Sequence, residues 1–386
     1  MIATVSLPRL LSIGGGALKE LPELLGRVGV SRPLVVTDPY MRSSGLLDRL
    51  TGLLDRAGLV AQVFADTVPD PTSTVVEAGA AILAEGNFDG LVALGGGSPI
   101  DTAKAMAILA ANGGRIRDYK VPNPIPLPGL PLIAIPTTAG TGSEVTKFTV
   151  ITDVETDEKM LIAGLGVTPL AAIVDFELTL TAPLRLTADT GIDALTHAIE
   201  AYVSRKANPF SDGMALSAMR LIWRHLPTAC AQPQNRAARE AMMLGATQAG
   251  MAFSNASVAL VHGMSRPIGA FFHVPHGLSN AMLLPEITDF SAPAAPARYA
   301  DCAHALGVAD PEEGEQAAVA RLIEGLRQLN RDLDVPSPAR FGIPRERYFA
   351  LMPVMAEQAL ASGSPGNNPR IPTVAEMVEL YGRCYA

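Results

Sequence analysis

Short apolar runs rich in β-branched residues alternate with helical stretches through the first half of the chain, and they stop near residue 183. Alternation of this kind predicts a parallel sheet whose strands are joined by crossover helices. Six runs are predicted to be strands, namely residues 33–37, 60–64, 90–94, 131–136, 148–152 and 171–175. Three stretches with helical spacing of apolar residues are predicted to be helices, namely 41–57, 72–85 and 99–111.

The second half lacks β-rich runs and is predicted to be helical. Its clearest helical segments are 189–203, 211–225, 236–252, 311–329 and 373–384. A length of 386 residues suits two domains. We therefore expect an α/β domain over residues 1–183 and an all-α domain over 184–386, with the boundary near 181–185. A ligand site is expected in the cleft between them.

Charge and cysteine content exclude several classes of partner. The net charge of -8 gives no general attraction to nucleic acid or to anionic lipid. Three scattered cysteines without CxxC spacing indicate neither a disulfide framework nor a cysteine metal site. The N-terminal residues resemble no secretion signal, and no apolar run reaches the length of a membrane span. We expect a soluble, cytoplasmic protein with small-molecule partners.

Two polar loops follow predicted strands. Residues 95–98 read Gly-Gly-Gly-Ser and precede a predicted helix, where bare backbone N–H groups and the helix dipole favour a phosphate. This loop is neither GxGxxG nor a P-loop, so an ordinary strand-to-helix turn is an equal alternative. Residues 136–143 again follow a strand and offer hydroxyls beside two glycines. Two such loops on neighbouring strand ends favour dinucleotide binding.

Asp38 directly follows the predicted strand 33–37. A carboxylate at this place can accept hydrogen bonds from an adenosine ribose and repel the 2′-phosphate of NADP. The alternative is an ordinary helix N-cap before Tyr40 and Met41. The choice depends on whether the glycine loops bind a nucleotide.

Asp193 and His197 stand four residues apart in a predicted helix, so both project from one face. Such a pair can hold a cation or form a local hydrogen bond. His262 and His276 lie in apolar stretches, where histidines are also found as hydrogen-bonded core residues. Together the four side chains would supply three nitrogens and one oxygen, a set that suits Fe(II), Zn(II), Ni(II) or Co(II).

These segments resemble the iron-containing, group III alcohol dehydrogenases over nearly the whole chain. The likeness is carried by residues 95–101, 136–141 and 191–202. It implies an N-terminal Rossmann-like dinucleotide-binding domain and a C-terminal helical metal-binding domain, an architecture shared with dehydroquinate synthase. It also implies NAD as cofactor, Fe(II) as the metal with Zn(II) as the alternative, and a homo-oligomer.

The resemblance implies roles for individual residues. The implied metal ligands are Asp193, His197, His262 and His276. The implied cofactor contacts are Asp38, Asp70, Gly96, Gly97, Ser98, Asp101, Thr137, Thr138, Thr141, Thr146 and Lys159. Asp70 is a departure, since asparagine is common there and the charge would alter the contact.

Arg266 is a second departure, because many members of the family carry a proton-relaying histidine four positions after the third ligand. Arginine stays charged at any working pH and is a poor proton shuttle. It could form a structural ion pair or bind an anionic group of the substrate. His273 could carry the proton instead, or it could simply face solvent. Arg266 and His273 are the candidate catalytic residues.

The expected function is NAD(H)-dependent and divalent-metal-dependent oxidation of a small alcohol, or reduction of an aldehyde or semialdehyde. One alternative is a sugar-phosphate cyclase or lyase similar to dehydroquinate synthase. That chemistry would need many cationic side chains near the metal, where the sequence offers little besides Arg266. The other alternative is a non-catalytic dinucleotide-binding protein, against which four intact candidate ligands argue.

Overall fold

The computed structural model describes residues 2–386, which form two compact units. The first unit is Ser6–Ala182, and the second is Pro183–Ala386 together with residues 2–5. The strands are β1 (Leu10–Ile13), β2 (Pro33–Val36), β3 (Gln62–Phe64), β4 (Gly90–Gly95), β5 (Leu132–Pro136), β6 (Phe148–Asp153), β7 (Glu158–Ala163) and β8 (Ala171–Val174). All of them belong to the first unit.

Six strands form one parallel sheet in the order β1-β8-β5-β4-β2-β3. Residues along β2, β4, β5 and β8 are all buried, as expected for a sheet covered on both faces. Strands β6 and β7 form a separate antiparallel pair. The helices of this unit are α1 (Leu21–Val28), α2 (Pro39–Ser43), α3 (Leu46–Arg56), α4 (Ser73–Glu85) and α5 (Gly97–Asn112).

Alternate residues of each central strand serve opposite faces of the sheet. Leu34 and Val36 belong to a core that also contains the apolar residues of α4 and α5. Val35, between them, belongs to a second core with the leucines of α1 and α3. The parallel order brings the carboxyl ends of β2, β4 and β5 to one edge, where the polar loops follow.

The second unit contains helices only, among the residues described. They are α6 (Leu184–Val203), α7 (Pro209–Ala231), α8 (Arg236–Ala256), α9 (Leu260–Phe272), α10 (His276–Ser291), α11 (Pro296–Leu306), α12 (Glu315–Asp332), α13 (Pro338–Phe341), α14 (Arg345–Ala361) and α15 (Val374–Cys384). Helix α6 is central, with nearly every residue after Leu186 buried. Within residues 2–386, no helix has both the length and the apolar character needed to cross a membrane.

Three local expectations are corrected by the structure. The helix expected over 41–57 is divided into α2 and α3, because Gly45 adopts a left-handed conformation with φ 76°. The run 148–152 is a strand, but it lies outside the parallel sheet, and its alternating burial is typical of a strand with one exposed face. Strands β1 and β7 are not predicted from the sequence, since β1 spans four residues and β7 begins with Glu158 and Lys159.

Candidate functional site

Asp193, His262 and His276 bring one ligand atom each to a common point in the helical unit. These three atoms lie within 4.8 Å of one another. Asp193 Oδ1 is 3.4 Å from His262 Nε2 and 3.8 Å from His276 Nε2. Asp193 and His262 are buried, whereas the His276 side chain is 41% exposed. One side of the cluster is therefore open to solvent.

Three helices supply this cluster. Asp193 comes from α6, His262 from the first turn of α9, and His276 is the first residue of α10. Gly277 allows α10 to begin close to α6, because a Cβ at this position would collide with the backbone oxygen of Asp189. Close approach of the two helices therefore depends on a glycine that directly follows a candidate ligand.

His197 lies beside the three-residue cluster, one turn after Asp193 on α6. Its Nε2 is 3.9 Å from Asp193 Oδ1. Its ring stacks on the ring of His262 at a centroid distance of 4.4 Å and on Phe253 at 4.2 Å. The His197 ring is thus stacked between the rings of His262 and Phe253, and all four candidate ligands lie close together.

Glu200 orients His262, a role that the sequence analysis does not assign. This buried carboxylate accepts hydrogen bonds from His262 Nδ1 at 2.7 Å and from the backbone N–H groups of Ala259 at 2.9 Å and Val261 at 2.5 Å. With Nδ1 donating to Glu200, the lone pair of Nε2 faces the cluster. Its position seven residues after Asp193 on α6 is the signal that could have indicated this role.

The electrostatics keep negative charge in the cluster. Burial by itself raises the pKa of Asp193, but the facing histidines His197, His276 and His262 outweigh burial and lower that pKa. Burial likewise lowers the pKa of His262, but hydrogen bonds to Asp193 and Glu200 outweigh it and raise the pKa to about 9. A cation that binds Nε2 must therefore displace a proton from it. The site therefore favours positive charge at its centre.

The donor set fits a divalent cation. Asn280 Nδ2 lies 2.7 Å from Asp193 Oδ1, 3.1 Å from His262 Nε2 and 3.3 Å from His276 Nε2. These three acceptor atoms surround one amide nitrogen, so their lone pairs converge on one region. Imidazole nitrogens and a carboxylate oxygen in that arrangement are the ligands that divalent transition metals use.

The glycine loop of the first unit opens α5. Gly96 occupies the N-cap position without a side-chain hydrogen bond to the first turn, and α5 begins at Gly97. Gly96, Gly97 and Ser98 are all partly exposed. A Cβ at Gly97 would lie 3.0 Å from Thr141 Cγ2. The two polar loops are thus in contact, and the uncapped N–H groups form a ready site for an anion.

The second loop is fixed to α5 by buried polar contacts. Asp101 accepts hydrogen bonds from Ser143 Oγ at 2.6 Å and from the backbone N–H of Val150 at 3.0 Å. Buried Lys104 donates to Ser143 Oγ at 3.0 Å and to Thr146 Oγ1 at 3.1 Å. Burial lowers the pKa of Lys104 to about 8. Asp101 and Thr146 are therefore engaged within the unit, and Lys104 is a positioning residue that sequence reasoning missed.

The remaining residues that are candidates for cofactor binding lie in three separate places. Asp38 caps α2 through a 2.9 Å hydrogen bond from Met41 N–H to Oδ1, so the N-cap role is present. Lys159 Nζ donates to Asp70 Oδ1 at 2.8 Å, which joins two residues 89 positions apart. Thr137 is buried, and Thr138 and Thr141 are partly exposed beside the glycine loop.

Arg266 is partly buried on α9, one turn after His262. Within residues 2–386 it forms neither an ion pair nor a hydrogen bond, so the structural ion pair considered for it is absent there. Burial lowers its pKa despite the nearby negative charge of Glu200. His273 is exposed at the C-terminal end of α9, in a left-handed conformation with φ 56°.

Comparison with protein families gives two matches. Residues 8–176 match the family model described as iron-containing alcohol dehydrogenase. Residues 187–385 match the model of the Fe-containing alcohol dehydrogenase family, C-terminal. Together the two models span both structural units.

Individual relatives agree with these matches. The NAD-dependent methanol dehydrogenase of Bacillus methanolicus is 40% identical over 369 residues, which cover 95% of this chain and 96% of the relative. The NADPH-dependent butanol dehydrogenase of Clostridium saccharobutylicum is 37% identical over 385 residues, covering 98% and 97%. The solved structure of a 1,3-propanediol oxidoreductase aligns with a TM-score of 0.96 at 35% identity, covering 100% of both chains.

Proposed function

The chain belongs to the iron-containing alcohol dehydrogenase family, and we propose that it transfers hydride between a small alcohol and NAD(H) with the help of one divalent metal ion. The observation that carries this proposal is the convergence of Asp193, His262 and His276 lone pairs on one region. Matches to dehydrogenases along the whole chain favour this function over a sugar-phosphate cyclase or a non-catalytic binding protein.

The proposed metal ligands are Asp193, His197, His262 and His276, with Fe(II) as the metal. A bound divalent ion supplies Lewis-acid stabilisation of an alcohol oxygen as it loses its proton, and of a carbonyl oxygen in the reverse direction. Asp193 contributes the negative charge that holds the cation, and Glu200 keeps His262 in the tautomer that presents Nε2. The exposed face at His276 gives the alcohol access.

The proposed pyrophosphate site is the N-terminus of α5, formed by Gly96, Gly97 and Ser98. Its support is the uncapped first turn, where two glycines without side chains leave the backbone accessible beside Thr138 and Thr141. Further proposed cofactor contacts come from the second loop and from the ion pair: Thr137, Thr138, Thr141, Thr146, Asp101, Asp70 and Lys159. This assigns NAD binding to the first unit, which was expected over residues 1–183, and metal binding and catalysis to the second, which was expected over 184–386. Residues 2–5 and Pro183 belong to the second unit.

Asp38 is proposed to select NAD. The methanol dehydrogenase relative is named NAD-dependent and the butanol dehydrogenase relative NADPH-dependent. Membership of the family therefore does not fix the cofactor, and residues of this chain must select it. Asp38 Oδ1 is used by the helix cap, and no hydrogen bond from the described residues reaches Oδ2. That oxygen can accept from a ribose hydroxyl, and its charge repels a 2′-phosphate.

Arg266 is proposed to bind an anionic group on the substrate, and His273 to pass the alcohol proton to solvent. The support for Arg266 is a partly buried guanidinium near the ligand His262 that lacks an ion pair within residues 2–386. The support for His273 is its exposure at the end of the same helix. We also propose a cytoplasmic location, since the three cysteines are unpaired. The family resemblance is the support for a homo-oligomer.

A substrate panel tests the proposed function. Metal-free protein is reloaded with Fe(II), and kcat/KM is measured for short alcohols with NAD and for matched neutral and carboxylate-bearing aldehydes with NADH. We expect turnover that chelation removes and Fe(II) restores. In Arg266→Ala, KM should rise for the carboxylate-bearing aldehydes and change little for the neutral ones. Equal losses for both would reject the role of Arg266, and no turnover with any alcohol or aldehyde would reject the function.

A further inference from the structure

Asn280 lies among the proposed metal ligands and has no role assigned to it by the sequence. It follows His276 by one turn on α10, so the two side chains project from one face. Its Nδ2 lies 2.7 Å from Asp193 Oδ1, 3.1 Å from His262 Nε2 and 3.3 Å from His276 Nε2. The residue has 0% exposure. Its amide therefore contacts the same three atoms that form the cluster.

The hydrogen bonds of this amide are incomplete in the arrangement described. Nδ2 carries two hydrogens, whereas three acceptor atoms surround it. Asn280 Oδ1 is buried and has no hydrogen-bond partner within residues 2–386. A buried carbonyl oxygen without a partner costs free energy, and such a group in a native fold often marks an ion or water site. The orphaned oxygen points to an interaction that forms when the cluster holds a cation.

We propose that Asn280 is a further metal ligand, whose Oδ1 turns towards the cation when the site is loaded. The amide nitrogen and oxygen are nearly equal in size, so rotation about the last side-chain bond exchanges them without moving α10. A cation held by Asp193 and His262 repels the N–H dipole and attracts the carbonyl dipole. A bound cation therefore favours the orientation in which Oδ1 of Asn280 faces the cluster. This inference rests on the proposed metal site.

An amide oxygen would also affect which metal the site prefers. Asp193 and three histidines provide four donors, the number that closed zinc sites use. Asn280 would add a fifth donor, and an alcohol oxygen could then complete a six-coordinate shell. Geometry and ligand number, rather than intrinsic affinity, distinguish one divalent metal from another in proteins. Asn280 would therefore favour Fe(II) or Co(II) over Zn(II).

Loading of the metal-free full chain with Co(II) tests this, because visible absorption per Co(II) strengthens as the coordination number falls towards four. Asn280→Leu removes the oxygen while it keeps the number and branching of the side-chain heavy atoms, and Asn280→Asp keeps an oxygen at the same place. We expect Asn280→Leu to bind Co(II) about tenfold more weakly and with stronger absorption. Asn280→Asp should keep the weak absorption of the wild type and bind Co(II) more tightly, because a carboxylate is charged.

Asn368→Leu is the matched control, since Asn368 is a buried amide that donates to Ser291 Oγ at 2.9 Å instead of to the cluster. It should keep the wild-type spectrum. A folded Asn280→Leu with unchanged affinity and spectrum would overturn the proposal. If Asn280→Leu does not fold, unchanged Co(II) affinity in Asn280→Asp would overturn it. Failure of the wild type itself to bind Co(II) would reject the metal site and this inference together.

Discussion

The two proposed sites would bind by different means, the one in the first unit through backbone and the one in the second unit through side chains. At the start of α5, Gly96 and Gly97 present N–H groups, and what matters is the absence of a Cβ. In the helical unit, side chains from α6, α9 and α10 converge, with Glu200 and Asn280 arranged around them. A backbone site follows from local sequence, whereas a side-chain site depends on helix packing. The two sites should therefore respond differently to mutation.

Removal of one ligand gives the largest expected effect. His262→Ala should abolish metal binding and lower kcat/KM by roughly a thousandfold or more, because the Lewis-acid contribution is worth several kcal/mol. Metal content is measured by elemental analysis, and turnover by NADH absorbance. His225→Ala, a histidine on α7 outside the cluster, is the control and should leave both unchanged. A metal-free His262→Ala with full activity would reject the assignment.

Glu200→Gln should give the next largest effect. The amide keeps the size of the side chain but weakens the hydrogen bond that holds the His262 tautomer. Loss of such an orienting partner lowers metal affinity by about ten- to a hundredfold. Competition with a chelator measures the affinity, and circular dichroism checks the fold. Unchanged metal affinity would show that Glu200 is important only for the start of α9.

Gly97→Ala addresses the backbone site. The new Cβ would lie 3.0 Å from Thr141 Cγ2, so it would push aside a side chain that is proposed to contact the cofactor. KM for NAD should rise about tenfold, equivalent to one hydrogen bond to a charged group, while metal affinity stays constant. Gly26→Ala is the control in the same unit, because its Cβ would meet nothing within 4 Å. Equal effects of both variants on KM would contradict the proposed cofactor position.

Asp38→Gly should give the smallest effect. Repulsion between two unit charges about 4 Å apart in water is about 1 kcal/mol, so the preference for NAD over NADP in kcat/KM should narrow about fivefold. Because Asp38 also caps α2, a thermal melt should show a small loss of stability. A wild-type preference for NADP would show that the assignment of Asp38 is wrong.

The difference between the units also explains what the sequence could predict. The strand before residue 95 and the glycines after it are adjacent in sequence, so periodicity and turn residues were enough to predict β4 and the start of α5. Asp193 and His197 are visible as a helical pair for the same reason. Their meeting with His262 and His276 depends on the packing of three helices, which no local pattern encodes. The family resemblance supplied that step.

Glu200, Lys104 and Asn280 were not predicted, and the reasons are physical. Each is a common residue on a helix, and its role appears only from partners on other elements, such as His262 for Glu200. Lys104 has its partners 39 and 42 positions away in the second loop. Helical spacing of four from His276 was the one signal for Asn280. Such residues become recognisable when their burial and hydrogen bonds are known.

The most direct test of the central claim is a titration of metal-free protein with Fe(II) under anaerobic conditions, following NAD reduction by a short alcohol. If Asp193 and the three histidines hold one catalytic ion, the rate should rise in proportion to added Fe(II) and reach its plateau at one ion per chain. The same titration of His276→Ala should remain flat. A full rate in the metal-free wild type, or a plateau unrelated to one ion per chain, would contradict the claim.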